Sequence, residues 1–130
     1  MTDIQREHAY VLATYQSAHN MVLPAFAKLV GKSRAQITRE IQRGQLLALS
    51  LGNRGYRIPD WQLDPLKSRL THDVLIRSTC NDAWRIYQAL TQPLDELGGR
   101  SAIEAVTVGD IARIVELVCT TGALVPQGVS

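Results

Sequence analysis

Apolar positions recur at helical spacing through most of this chain and give way to two short strand-like runs in one place only. Ile4, Val11, Leu12 and Tyr15 share a face and predict a helix from about Ile4 to Ala18. "HNMVLP" breaks it, because the residue before Pro24 is steered away from helical angles. A short helix follows in "PAFAKLV", with Pro24 at or near its first position. Gly31-Lys32 reads as a turn, and Ser33 caps a new helix with Gln36 at capping-box spacing. Ile37 and Ile41 face inward there and leave Arg34, Thr38, Arg39, Gln42 and Arg43 outside; Gly44 is the left-handed stop. The strand-like runs are "QLLALSLG" and "GYRIP", on either side of Gly52-Asn53-Arg54-Gly55, where Gly and Asn permit the positive φ of a tight hairpin. Tyr56 is expected against a sugar or on the domain, and Ile58 and Trp61 are expected to anchor the hairpin to the core.

Asp64-Pro65 is a strong helix start, and Leu66, Leu70 and Val74 line the inner face of a helix reaching about Ser78. Asn81 is expected to cap the next, whose apolar side is Trp84, Tyr87 and Leu90 or Ile86. Pro93 to Leu97 is expected to form a short turn or helix closed by Gly98-Gly99. Ser101 with Glu104, and then Thr107 with Asp110, repeat the capping-box spacing. Ile111, Ile114, Val115 and Val118 stripe the last helix, Gly122 stops it, and "ALVPQGVS" has no periodicity. The expected fold is mainly α: a helix-turn-helix with a small β-hairpin wing, followed by a compact bundle of short helices. The expected domains are 1–62 and 63–130, joined at "WQLDP", which is too short for a flexible tether.

Charge sharpens this division. Residues 1–61 carry eight Lys/Arg and four Asp/Glu, whereas residues 62–130 carry six and eight. Pro24 to Pro59 holds seven basic residues against Glu40 alone. Two short helices around a Gly turn, with the second one capped, match the helix-turn-helix arrangement, in which the second helix enters the major groove. Arg34 and Gln36 are then the expected base readers, since Arg pairs bidentately with guanine and Gln with adenine. Lys32, Arg39 and Arg43 are expected on phosphates, Ser33 and Thr38 lie on the same surface, and Arg54 and Arg57 are expected beside the helix on the wing. Paired half-sites on DNA call for at least a homodimer. The competing interpretation is a solvated basic face with no ligand.

The 130 residues, 45% hydrophobic, suffice for one domain or two small ones sharing a core. No apolar run approaches the roughly 18 residues a membrane span needs. "MTDIQREHAY" lacks a basic stretch followed by an apolar core, so neither a signal peptide nor a location outside the cytoplasm is expected. Cys80 and Cys119 are far apart and read as reduced thiols; they and the scattered His8, His19 and His72 lack metal-ligand spacing. Gly98-Gly99 is a helix stop rather than a phosphate loop, and Asp95-Glu96 point to different sides of any helix. No catalytic constellation emerges and no cofactor is expected, so binding is favoured over catalysis.

Three stretches of the second half, "AWRIYQAL", "LGGRSAIEAV" and "VGDIARIVELVCTTG", carry a resemblance. With Trp84, Leu90, Leu97, Gly98, Ser101, Ile103, Gly109, Val115 and Gly122 in order, residues from about Asp73 to Gly122 resemble the toxin-binding domain of the Xre/MbcA/ParS antitoxin family. Ala102 departs from the Pro common there, but Ser101 and Glu104 keep the capping logic. The first half resembles a winged, excisionase-like DNA reader, with "GYRIPDWQ" as its closing phrase. The resemblance implies a type II antitoxin that binds its own operator as a repressor and neutralises a partner toxin, commonly a RES-domain protein that consumes NAD. Toxin contacts are implied at Trp84, Leu97 and Arg100 and along the tail at Leu124, Val125 and Pro126. The alternative is a stand-alone transcription or excision factor whose helical half only oligomerises.

Overall fold

The computed structural model describes residues 2–80, 82–120 and 124. Its first half runs α1 (Asp3–Tyr15), β1 (Asn20–Val22), α2 (Leu23–Val30), α3 (Arg34–Gln42), β2 (Leu49–Ser50) and β3 (Tyr56–Pro59). A 3-10 turn, Asp60–Leu63, leads into α4 (Pro65–Arg77), α5 (Ala83–Thr91), a second 3-10 turn (Asp95–Leu97), α6 (Ala102–Ala105) and α7 (Ile111–Thr120). The chain is mainly helical with one small antiparallel sheet, as the sequence pattern predicts. The sheet has three strands in the order β1-β3-β2, one more than the expected hairpin. Its extra strand is the segment that Pro24 breaks from α1: Met21 pairs with Ile58, and Val22 with Arg57. Three residues are too few to show a period, so the strand was invisible in the sequence.

Local chemistry sets the element ends. Gly31 takes φ 71° and lets α2 turn into α3, while the Ser33 hydroxyl accepts the Gln36 N–H at 3.1 Å. Asp64 accepts from the N–H groups of Leu66 and Lys67 to start α4. Ser101 and Glu104 form the full capping box. At Thr107 only the return half exists, the Asp110 carboxylate accepting the Thr107 N–H at 2.7 Å. The cap of α5 is Asp82, which accepts from the Trp84 N–H, and not Asn81, which lies outside the described residues with Gly122. In the hairpin the positive φ falls on Gly52 and Gly55, while Asn53 keeps negative φ. The apolar stripe expected on α1 is not a core face: Tyr15 is buried, but Ile4 and Leu12 are exposed.

Two apolar clusters meet along one buried segment. Phe26, Ala27, Ile37 and Ile58 gather beneath α2 and α3. Leu70, Val74, Leu90, Ile114 and Val118 gather among the later helices. Leu46 to Leu49 are all buried between them. Leu46 and Ala48 enter the first cluster and Leu47 the second, the alternation of an extended chain. Gln62 closes this wall from the 3-10 turn. Its amide donates to the Leu47 carbonyl and accepts the Leu47 N–H, each at 2.9 Å, as a neighbouring strand would. Trp61 belongs to the second cluster, not to the hairpin's own core. Its ring stacks on Tyr87 at 5.3 Å, and its N–H donates to Thr71 at 2.9 Å. The junction is thus a packed seam.

Candidate nucleic-acid interface

The α3 surface is built by burying one edge of the helix. Ile37 is fully buried and Ile41 half-buried, so the opposite edge faces out. With about 100° per residue, the outward line runs through Ala35, Arg39 and Gln42, with Arg43 beside it. Arg34, Gln36, Arg39 and Arg43 are all exposed, and Ser33 and Thr38 serve the backbone: Ser33 as the cap, Thr38 by donating to the Arg34 carbonyl at 3.0 Å. Arg34 and Gln36, both expected as base readers, lie on opposite flanks, about 160° apart around the axis. Among the described residues, Arg39 and Arg43 pair with no carboxylate. Lys32 is committed to Glu40, its ammonium 2.9 Å from one carboxylate oxygen.

The hairpin is turned differently from expectation. Ile58 enters the cluster beneath α3, so its strand neighbour Arg57 projects from the other face of the sheet. There the Arg57 guanidinium lies 5.0 Å from the Tyr15 ring centre and donates to the Asn20 carbonyl at 3.3 Å. The Tyr15 hydroxyl also donates to the carbonyls of Arg54 and Gly55, at 2.8 and 2.9 Å. Arg57 is therefore a strut between β3 and α1. The Arg54 side chain stays exposed at the hairpin tip. Tyr56 packs against the first cluster.

A groove of about 680 Å³ runs between α3 and α4. Gln36, Arg39, Glu40 and Arg43 line one side, and Ser68, Arg69 and His72 the other. The α4 residues were missed in the sequence because they belong to the half with acidic balance. Only folding brings them opposite α3.

The residues implied for toxin contact divide sharply. Leu97 and Leu124 are buried in the second cluster. Trp84 is half-buried, its N–H donating to the Ser50 carbonyl at 3.0 Å across the seam. Arg100 is exposed, beside a β-bridge to Leu94. Val125 and Pro126 lie outside the described residues. Exposed apolar surface in this half is instead at Leu63, Ile76 and Val108, and Ile76 lines a shallow depression with Arg77, Ala112 and Val115.

Burial raises the Cys119 thiol and the Tyr87 phenol, which keeps both protonated near neutrality. Bonds from Ser101 lower the Glu104 carboxyl, and the Thr107 N–H lowers that of Asp110. Among the described residues, no three His, Cys, Asp or Glu gather closely enough to hold a metal ion, and no helix is long and apolar enough to cross a membrane. No family model matches the chain, and no curated protein or solved structure matches it.

Proposed function

We propose that this chain is a DNA-binding antitoxin: its α3 surface engages duplex DNA, and its helical half binds and neutralises a partner toxin, with DNA binding serving autoregulation. The observation that carries the DNA part is the exposed, carboxylate-free pair Arg39 and Arg43 on the outward edge of a capped helix. Unpaired guanidiniums on an exposed helix edge suit phosphate contacts and displace counterions there. The toxin part draws on the ordered residue pattern from Trp84 to Gly122, and the partner class it implies is a RES-domain, NAD-consuming protein. Within that pattern Arg100 and Val108, with Ile76 on α4, are described surface open to a protein.

The test is co-expression with the protein encoded next to it, followed by growth assay and size-exclusion chromatography. The expected result is a neighbour that arrests growth alone and is both rescued by and co-eluted with this chain. A harmless or non-binding neighbour leaves the second reading, a stand-alone DNA-binding regulator whose helical half joins two copies. The exposed apolar side chains Ile76 and Val108 suit that role equally.

A further inference from the structure

We infer that α4 belongs to the DNA-binding surface: the α3–α4 groove seats the phosphate backbone of duplex DNA, with Arg69 and His72 completing a footprint begun by Arg39 and Arg43. This rests on the DNA-binding reading above and extends it into a half that charge and resemblance both assign to another task.

Four observations converge. First, the groove holds Lys32, Arg39, Arg43 and Arg69 against a single lining carboxylate, Glu40. Glu40 is itself neutralised by Lys32 at 2.9 Å, so the field left in the groove is that of three guanidiniums. Second, those guanidiniums are available. Arg69 has its Nε 4.0 Å from Asp73, and its side chain is 70% exposed, an ion pair of little strength. Third, polar donors accompany them: Ser68 lies on the same wall, and His72 beside it can donate from its ring. Fourth, the seam makes the two walls one unit. Gln62 clasps Leu47, and Trp61 bonds Thr71, one turn from Ser68 on α4 itself. A groove between rigidly joined helices is preorganised, and less ordering is lost when an anion settles in it.

The terminus of α4 is not what recommends the site. Asp64 already accepts the N–H groups of Leu66 and Lys67, so the anion-binding capacity lies in the side chains. Geometry selects duplex DNA over duplex RNA. A helix with an exposed basic edge can enter the wide major groove of B-form DNA, whereas the major groove of A-form RNA is too narrow for one. With α3 in the groove, the flanking backbone falls toward α4.

The experiment is a fluorescence-anisotropy titration of a labelled DNA duplex, taken from upstream of the chain's own gene, across a series of salt concentrations. It compares the full chain with Arg69→Gln, His72→Gln and Arg39→Gln, and with Arg113→Gln as an exposed control beyond the groove. The same titration with an RNA duplex is the second arm. Arg69→Gln is expected to weaken DNA binding several-fold and to make the log–log salt slope shallower by about 0.9, the value of one lost phosphate contact. His72→Gln is expected to weaken binding less, and Arg113→Gln not at all. If Arg39→Gln weakens binding while Arg69→Gln matches the unmodified chain in affinity and slope, this inference fails and the DNA-binding reading survives. If the unmodified chain binds no DNA, or prefers the RNA duplex, both fail. Circular dichroism of each variant checks folding, and Arg69→Lys, which keeps the charge, is expected to restore the slope.

Discussion

The surface of α3 and the segment from Trp84 to Arg100 were both singled out in the sequence as contact regions, and the fold treated them in opposite ways. On α3 the candidates Arg34, Gln36, Arg39 and Arg43 are exposed. In the later segment Leu97 became core and Trp84 a tie across the seam, and Arg100 alone stayed fully outside. The difference is chemical. A charged side chain is expensive to bury, so an isolated Arg named as a surface contact almost always ends on the surface. An apolar side chain serves a core and a partner equally well, so its residue type does not distinguish them. Arg57 shows the limit of the first rule: a guanidinium can be drawn inward when an aromatic face and a carbonyl receive it, as Tyr15 and Asn20 do.

This contrast can be broken most forcefully at the seam. Leu47→Ala is expected to cost about 2–5 kcal/mol, because it empties space at a fully buried position between the clusters. Urea denaturation should show one cooperative transition, shifted as a whole; two separate transitions would show that the halves are independent and that Gln62 and Leu47 do not couple them. Leu97→Ala is expected to lose stability on the same scale, whereas Arg100→Ala should stay within about 0.5 kcal/mol in thermal unfolding. A stability-neutral Leu97→Ala would return that residue to the list of contacts. Removing the Ser101 cap by Ser101→Ala should cost about 1 kcal/mol and release the Glu104 carboxyl toward its ordinary value.

The smallest expected effect is on acid stability. Glu104 and Asp110 are held below their ordinary values of 4.5 and 3.8, so the folded chain binds those protons less readily than the unfolded chain does. Their contribution is present above those values and is lost as pH falls through and below them. A urea midpoint that is flat from neutrality to about pH 5 and falls below that is expected, with a gentler fall in Glu104→Gln. An unchanged fall in that variant would assign acid sensitivity to other carboxylates.

Much of the fold was legible because its punctuation is local. Gly31, Ser33, Asp64, Gly98 and Ser101 act within a turn of themselves, and each does in the structure what its residue type suggests. What escaped depends on distant partners. The strand Asn20–Val22 exists only by pairing with β3. The stripe of α1 looks apolar in sequence, yet Ile4 and Leu12 stay exposed. The groove facing α3 needed α4, contributed from a region whose overall charge argued against it. Regional charge averages over side chains that the fold then sorts individually.

The central claim is that outward arginines on α3 contact DNA phosphates. It is tested most directly by titrating the upstream duplex into the full chain and into Arg39→Ala/Arg43→Ala at several salt concentrations. A linear fall of log affinity with log salt is predicted for the unmodified chain, and a slope shallower by about 1.8 for the double variant, with unfolding temperature preserved. An affinity and slope unchanged by the double substitution, or no DNA binding by the unmodified chain, would contradict the account.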